Sequence, residues 1–376
     1  MKIALFANTE WYLYNFRRSL AIALRDAGHD VVLVSPPGAY GEKLRELGFR
    51  WIPAPMDRSS LNPLRELWLV IWLKRLFAQE QIDLVHGFTI KCAVYGSLAA
   101  RLAGIPARVS AVAGMGYVFT SEDTKARVLR PLVRGLMGMA LGGAGARLIL
   151  QNPDDVALFE KARLVDPQSV RLIPGSGVDC VRFAPNEGHM RRGNFRVLLA
   201  ARLLWDKGLG EFVSAARLLK AKGHNIDFLL AGDPDPGNPA AVPESDVRAW
   251  VDEGVLQWLG HVDDMPGLFR SVDAVVLPSY REGLPKGLIE AGACGLPLVT
   301  TDVPGCREVV TDGVDGLLVP ARDANALAAA IGRLDESPTL CAKFGIAARE
   351  KALVEFDERL VIERTIDVYR ELLSHN

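Results

Sequence analysis

The chain has 376 residues, 49% hydrophobic and 24% charged, which suits a folded soluble protein and exceeds one ordinary core, so two domains are expected. Its 44 basic and 45 acidic residues leave a formal net charge of -1, which excludes a global attraction to nucleic acid and leaves any anionic partner to be met by local charge. The five cysteines (Cys92, Cys180, Cys294, Cys306, Cys341) lie far apart with no Cys-x-x-Cys pair, which argues against a zinc or redox motif and fits a reducing cytoplasm.

The first element is a strand, KIALFAN from Lys2, with no signal-peptide core or cleavage site ahead of it. Similar runs follow as DVVLVSP from Asp30, IDLVHG from Ile82, ARVSAVAG from Ala107 and ARLILQN from Ala146, separated by stretches of helical spacing. Continuous apolar strands with helix-length connections predict a parallel sheet covered on both faces. The most apolar stretch, LWLVIWL at 67–73, is too short to span a bilayer and runs into Lys74 and Arg75.

Between 101 and 150, Arg101, Arg108, Lys125, Arg127, Arg130, Arg134 and Arg147 face only Glu122 and Asp123, with Leu129, Leu132, Val133, Leu136, Met137, Met139 and Leu141 interleaved. Such a basic, apolar helix is either packed on a core with a solvated basic face or laid on an anionic membrane surface. Trp68, Trp72, Lys74 and Arg75 add to the second reading.

The strand series stops at RLIPGSGVDCVRFAP, 171–185, and restarts with FRVLLAARL from Phe195, IDFLLAGD from Ile226, VLQWLGH from Val255, VDAVVLPSY from Val272, LPLVTTDV from Leu296 and DGLLVP from Asp315. This predicts two tandem doubly wound α/β domains, 1–178 and 179–355. A last helix over 356–376 follows, its stripe of Leu360, Val361, Ile362, Ile366, Tyr369, Leu372 and Leu373 packing back across the domain boundary. Ligands of open α/β sheets bind beyond the carboxyl ends of the strands, so two such sheets facing across a cleft would grip a ligand with their strand-end loops.

In the second half, Arg202 and Lys207 flank a turn that leads into a helix; they are either surface cations or, beside the helix N-terminus, a diphosphate site. Asp233 and Asp235 form a D-x-D among prolines and glycines, where aspartates usually make turns and less often hold a metal. In REGLPKGLIE, Pro285 suits the first position of a helix that Gly295 ends, leaving Glu282 in the loop before it and Glu290 inside it. About 8 Å of axial rise plus the loop separates the two carboxylates, too far for a shared proton or metal ion. They are expected to grip different parts of one extended ligand.

The E-x7-E spacing, the ARLLWDKG turn and GSGVD at the junction together resemble the retaining glycosyltransferases of the GT-B fold, family 4, along essentially the whole chain. FANTEWYLYNFRRSLAIALRDAGHDV and VHGFTIKCAVYGSLAA are similar to the bacterial branch that builds capsule, O-antigen and lipid-linked oligosaccharides, which includes enzymes adding N-acetylgalactosamine to undecaprenyl-diphosphate-linked sugars. The resemblance implies two Rossmann-like domains, the first for acceptor and the second for nucleotide sugar. It assigns Arg202 and Lys207 to the donor diphosphate, Glu290 to the ribose, Glu282 with Gly283, Leu284 and Pro285 to the donor sugar, and Gly260, His261 and Val262 to the base. It requires no metal and no cofactor beyond a UDP-sugar as substrate.

The first half departs from the family pattern. NTEWYLYNFR lacks the paired glycines that let a diphosphate approach, and no histidine ends the ARVSAVAG strand. Asn8, Thr9, His86 and Lys91 are the acceptor-side candidates, although a lone strand-end histidine is often a packed structural residue and Lys91 an ordinary helix-start lysine. The expected activity is transfer of an N-acetylhexosamine from a UDP-sugar to a polyprenyl-linked saccharide at the inner face of the cell membrane, with peripheral attachment. A UDP-N-acetylglucosamine 2-epimerase of the same architecture is the alternative, and a non-catalytic sugar-nucleotide-binding protein another. A dinucleotide-dependent dehydrogenase is disfavoured because no G-x-G-x-x-G follows the first strand.

Overall fold

The computed structural model describes residues 1–57, 60, 62–112, 135–185, 193–235 and 237–374. The chain forms two compact units, one of Met1–Ser176 with Val361–Asn376 and the other of Gly177–Leu360.

The first unit holds a sheet of seven strands: β1 (Lys2–Phe6), β2 (Asp30–Ser35), β3 (Arg50–Pro53), β4 (Leu84–Phe88), β5 (Ala107–Val112), β6 (Ala146–Leu150) and β7 (Val170–Leu172). Their order is β3-β2-β1-β4-β5-β6-β7, every pairing parallel, so the winding reverses between β1 and β4. Every residue of β4 and β5 is buried, the reason their apolar residues do not alternate with exposed ones; His86, Arg108 and Ser110 are buried among them. β1 shows the two-sided burial: Ile3 and Leu5 join one hydrophobic cluster, Ala4 and Phe6 the other.

The face of Ala4 and Phe6 is covered by the Pro63–Gln79 helix through Leu69, Leu73 and Phe77. Asn62 caps this helix by accepting from the Leu64 amide, and Pro63 occupies the first turn, where its missing N–H is harmless. The opposite face is closed by the Glu358–Leu373 helix, whose buried residues are Val361, Thr365, Val368, Tyr369 and Leu372. That stripe differs from the expected one: Ile362, Ile366 and Leu373 only flank it, and Thr365 and Val368 lie at its centre. Thr365 tolerates burial because its hydroxyl donates to the Val361 carbonyl one turn back, at 2.7 Å.

Of the basic residues between 101 and 150, Lys125, Arg127, Arg130 and Arg134 lie outside the described residues, as do Leu129, Leu132 and Val133. The others are engaged by the fold: Arg101 donates to the Met139 carbonyl, Arg108 is buried, and Arg147 pairs with Glu371.

The second unit holds β8 (Phe195–Ala200), β9 (Ile226–Ala231), β10 (Gln257–Gly260), β11 (Ala274–Leu277), β12 (Leu298–Thr301) and β13 (Gly316–Val319). The order β10-β9-β8-β11-β12-β13, again all parallel, reverses between β8 and β11. Both units are therefore doubly wound Rossmann-like folds, each with a switch point where a ligand crevice is expected.

Candidate functional site

The site of the second unit is built at the carboxyl ends of the adjacent strands β8 and β11. Their exit loops touch: Gly208 has φ 74°, and a Cβ there would lie 2.1 Å from the Pro278 carbonyl oxygen. Only glycine fits this position, because both the left-handed backbone and the contact forbid a side chain. The Tyr280 amide donates to the Asp206 carbonyl at 2.9 Å, and Gly305, at φ 86°, lets the turn after β12 approach within 2.5 Å of the Glu282 carbonyl measured from its would-be Cβ. The Glu282 amide donates to the Pro304 carbonyl at 3.1 Å, so its backbone is fixed from a third strand end.

These contacts bring the Lys207 ammonium to 2.5 Å from Glu282 Oε1. Ser279, wholly buried, donates its hydroxyl to the same oxygen at 2.6 Å, and its own carbonyl accepts from the Thr301 hydroxyl. Lys207 and Glu282 are 19% and 12% exposed, sheltered enough for the charges to be felt strongly and open enough to meet a ligand.

Arg202, on the same β8 exit, is more open and donates from Nη1 to Asp235 Oδ2 at 2.7 Å. The two aspartates of the D-x-D serve different partners: Asp235 also accepts from the Asn238 amide group at 3.1 Å, and Asp233 lies 3.3 Å from His261 Nδ1. Among the described residues no group of three metal-ligating side chains gathers. The β9 and β10 ends are joined by the Gly232 amide donating to the Gly260 carbonyl at 2.8 Å, which sets His261 beside Asp233, half-exposed; Val262 packs on the cluster below.

Pro285 stands one position before the helix, which runs Lys286–Ala293, and its carbonyl accepts from the Leu288 amide at 3.1 Å. The expected placement at the first helical residue is thus off by one, because Pro285 has ψ 96°, extended and not helical. Leu284 packs against the cluster of β11 and Gly295 ends the helix in the left-handed region, φ 75°. Glu290 is the fifth residue of this helix; burial pushes its carboxyl above the usual carboxylate range, against the attraction of Lys286 and Arg182. Lys286 Nζ is 3.8 Å away. Glu282 and Glu290 therefore answer to separate cations, and a sheltered carboxyl, 15% exposed, with so loose a partner is suited to accept from hydroxyl groups.

In the first unit, Thr9 caps the first helix, its hydroxyl accepting from the Tyr12 amide at 3.0 Å, and Asn8 is half-buried beside it. His86 is 1% exposed, with Nδ1 2.6 Å from the Tyr369 hydroxyl. Burial, and then the charge of Arg17, hold its pKa well below the ordinary histidine value. Lys91 donates to the carbonyls of Asp57 and Ser60 and pairs with Glu66 at 2.9 Å. Both acceptor-side candidates are engaged within the first unit: the last helix covers His86, and Lys91 ties down the chain ahead of the Pro63–Gln79 helix.

Ser279 and the lysine and arginine beside Glu290 went unnoticed in the sequence. A loop serine three positions before a glutamate has no periodic signature, and Arg182 is remote in sequence from Glu290.

Residues 2–149 match the family model described as glycosyl transferase 4-like, and residues 194–337 match the model of glycosyl transferases group 1. The chain belongs to these glycosyl transferases. This glycosyltransferase is 29% identical, over 386 aligned positions and all of both chains, to the N,N'-diacetylbacillosaminyl-diphospho-undecaprenol alpha-1,3-N-acetylgalactosaminyltransferase of Campylobacter jejuni. It is also 29% identical to the UDP-Gal:alpha-D-GlcNAc-diphosphoundecaprenol alpha-1,3-galactosyltransferase of Escherichia coli, over 75% of this chain and 73% of that one. In fold it is similar to a glycosyltransferase from Rickettsia africae, with a TM-score of 0.81 and 18% identity over 100% of this chain and 99% of the other. An Anabaena protein crystallised with UDP and glucose superposes with a TM-score of 0.80 at 20% identity over 99% and 100%. Relatives of this kind leave the epimerase reading without support.

Proposed function

We propose that this glycosyltransferase moves an N-acetylhexosamine, with N-acetylgalactosamine the first candidate, from a UDP-sugar to a saccharide carried on undecaprenyl diphosphate, with retention of anomeric configuration. The observation that carries this reading is the full-length likeness to the Campylobacter jejuni enzyme, whose name states that donor sugar and that lipid carrier. The Escherichia coli relative supports a UDP-linked donor and the same carrier through its name.

The residue roles follow from charge. Breaking the anomeric C–O bond leaves negative charge on the departing diphosphate, and a cation already in place there lowers the barrier without reorganisation. Lys207, positioned by Glu282, and the more exposed Arg202 supply that charge, so no metal ion is needed. Glu282 faces the transferred sugar with Gly283, Leu284 and Pro285. Glu290 accepts from the ribose hydroxyls, and Gly260, His261 and Val262 border the base.

The same reading places the enzyme at the inner face of the cell membrane, held peripherally. Its support is the outer stripe of the Pro63–Gln79 helix, where Leu64, Leu67, Trp68 and Ile71 are exposed and Lys74 and Arg75 follow. Apolar side chains with an amphipathic tryptophan and adjoining cations suit an anionic lipid surface. Among the described residues no helix is long and apolar enough to cross a membrane.

The deciding experiment offers a panel of nucleotide sugars with undecaprenyl-diphosphate-linked saccharide and follows the product by mass and by the anomeric proton coupling. Transfer of N-acetylhexosamine with retention supports the reading; conversion of a UDP-sugar to an epimer without acceptor overturns it.

A further inference from the structure

Arg17 closes a π-helical turn, Leu13–Arg17, in the segment after β1, and is 5% exposed. Its guanidinium carbon lies 4.3 Å over the ring of Phe88, the last residue of β4, and 5.5 Å from the ring of Tyr12. Nη2 donates to the Tyr12 hydroxyl at 3.0 Å, but Nε is buried without a partner, and among the described residues no carboxylate pairs with Arg17. A guanidinium does not give up its proton, so a permanent charge is held here with aromatic rings as its main company. On the same Phe88 ring, 4.0 Å away, sits His86, whose Nε2 is likewise buried and unpartnered because Tyr369 takes only Nδ1.

Position separates Arg17 from Arg108, which among the described residues is the other arginine buried without a carboxylate. Arg108 is at the amino end of β5 and spends a donor on the Gly142 carbonyl. Arg17 lies at the carboxyl ends of β1 and β4, where the strand order reverses and ligands of such sheets bind. π-Helical turns also concentrate at functional sites.

We propose that Arg17 is an anion subsite of the first unit that takes a phosphoryl group. The planar fork of a guanidinium matches phosphoryl oxygens, and the vacant Nε is one of its donors. The inference rests on the glycosyl-transfer reading for the source of the phosphate, since both proposed substrates carry a diphosphate. One arm of the test therefore addresses the UDP-sugar and the other the diphosphate of the lipid-linked acceptor.

The test compares wild type with R17M, which keeps an apolar stem, and R17K, which keeps the charge without the fork. UDP affinity is read by calorimetry, and acceptor KM with two acceptors, one on a lipid diphosphate and one carrying the same saccharide on a phosphate-free lipid. A donor source predicts UDP bound about tenfold or more weakly by R17M. An acceptor source predicts a KM raised about tenfold or more for the diphosphate acceptor, with wild type and R17M equal on the phosphate-free one. In both cases R17K recovers part of the loss. UDP affinity and both KM values within about twofold of wild type, or a loss equal on the two acceptors with UDP binding intact, overturns the subsite while leaving the transfer reading in place. A wild-type chain that transfers no sugar, yet binds inorganic pyrophosphate about tenfold more tightly than R17M, keeps the subsite and removes the transfer reading.

Discussion

Lys207 Nζ and Glu282 Oε1 stand 2.5 Å apart although 75 residues separate them in the chain, and the wholly buried Ser279 shares the same carboxylate oxygen. The ammonium is thus fixed at the β8/β11 switch point before any ligand arrives. If it stabilises the leaving diphosphate, Lys207→Ala should lower turnover by about 10²- to 10³-fold, the loss typical of one preorganised electrostatic group. Near-normal kcat in a folded K207A protein sinks the assignment.

Ser279→Ala removes a donor from a sheltered carboxylate. A hydrogen bond to a charged group is worth about 1.5–3 kcal/mol, so thermal unfolding should show a loss of that order. If Ser279 also positions Glu282, kcat falls while UDP affinity stays; an unchanged melting temperature together with unchanged kcat would show the contact to be idle.

Glu290→Gln should weaken UDP binding, measured by calorimetry, because a neutral amide is a poorer acceptor for ribose hydroxyls than a carboxylate. Stability should move the other way. Burial raises the folded-state pKa of Glu290, so ionisation costs the folded protein at neutral pH. That cost is present above the raised pKa and is relieved as pH falls through it toward the ordinary value of 4.5. E290Q should melt higher than wild type at neutral pH, and the advantage should fade on acidification across that window. An advantage that grows on acidification contradicts the burial effect.

Gly208→Ala puts a methyl group 2.1 Å from the Pro278 carbonyl at a backbone angle of φ 74°. The left-handed conformation alone costs about 1–2 kcal/mol for a non-glycine residue, and the collision adds to it. The variant should lose more than about 2 kcal/mol in denaturant unfolding and most of its activity, since the two exit loops cannot close. Wild-type stability would mean that the loops have room to part.

Activity should persist in excess chelator, because the aspartates of the D-x-D are engaged by Arg202 and His261. Abolition by chelator, with recovery on adding a divalent cation, would restore Asp233 and Asp235 as a metal site.

The strands and their ends were legible in the sequence because buried parallel strands are written as apolar runs without alternation, as in Ile3–Phe6 of β1 and throughout β11. Arg202, Lys207, Glu282 and Glu290 could be singled out because each follows such a run at short range. The partners that fix them could not: Ser279 and Glu282 meet in a loop without periodicity, and Asp235 reaches Arg202 from the next strand over. Thr365 escaped the helical stripe because its hydroxyl counts as polar until the bond to Val361 is seen. Arg17 drew no notice in the sequence, because its burial goes with a π-helical turn that no sequence period announces.

The bond between His86 and Tyr369 has a consequence for the order in which the protein can be completed. It joins the central strand β4 to a helix synthesised only after the entire second unit. While that unit is being made, the sheet face awaiting Val361, Val368, Tyr369 and Leu372 stays open to water, and the half of the molecule that leaves the ribosome first is the last to close. A nascent chain that ends before residue 361 therefore lacks the side chains that cover this apolar face in the finished protein.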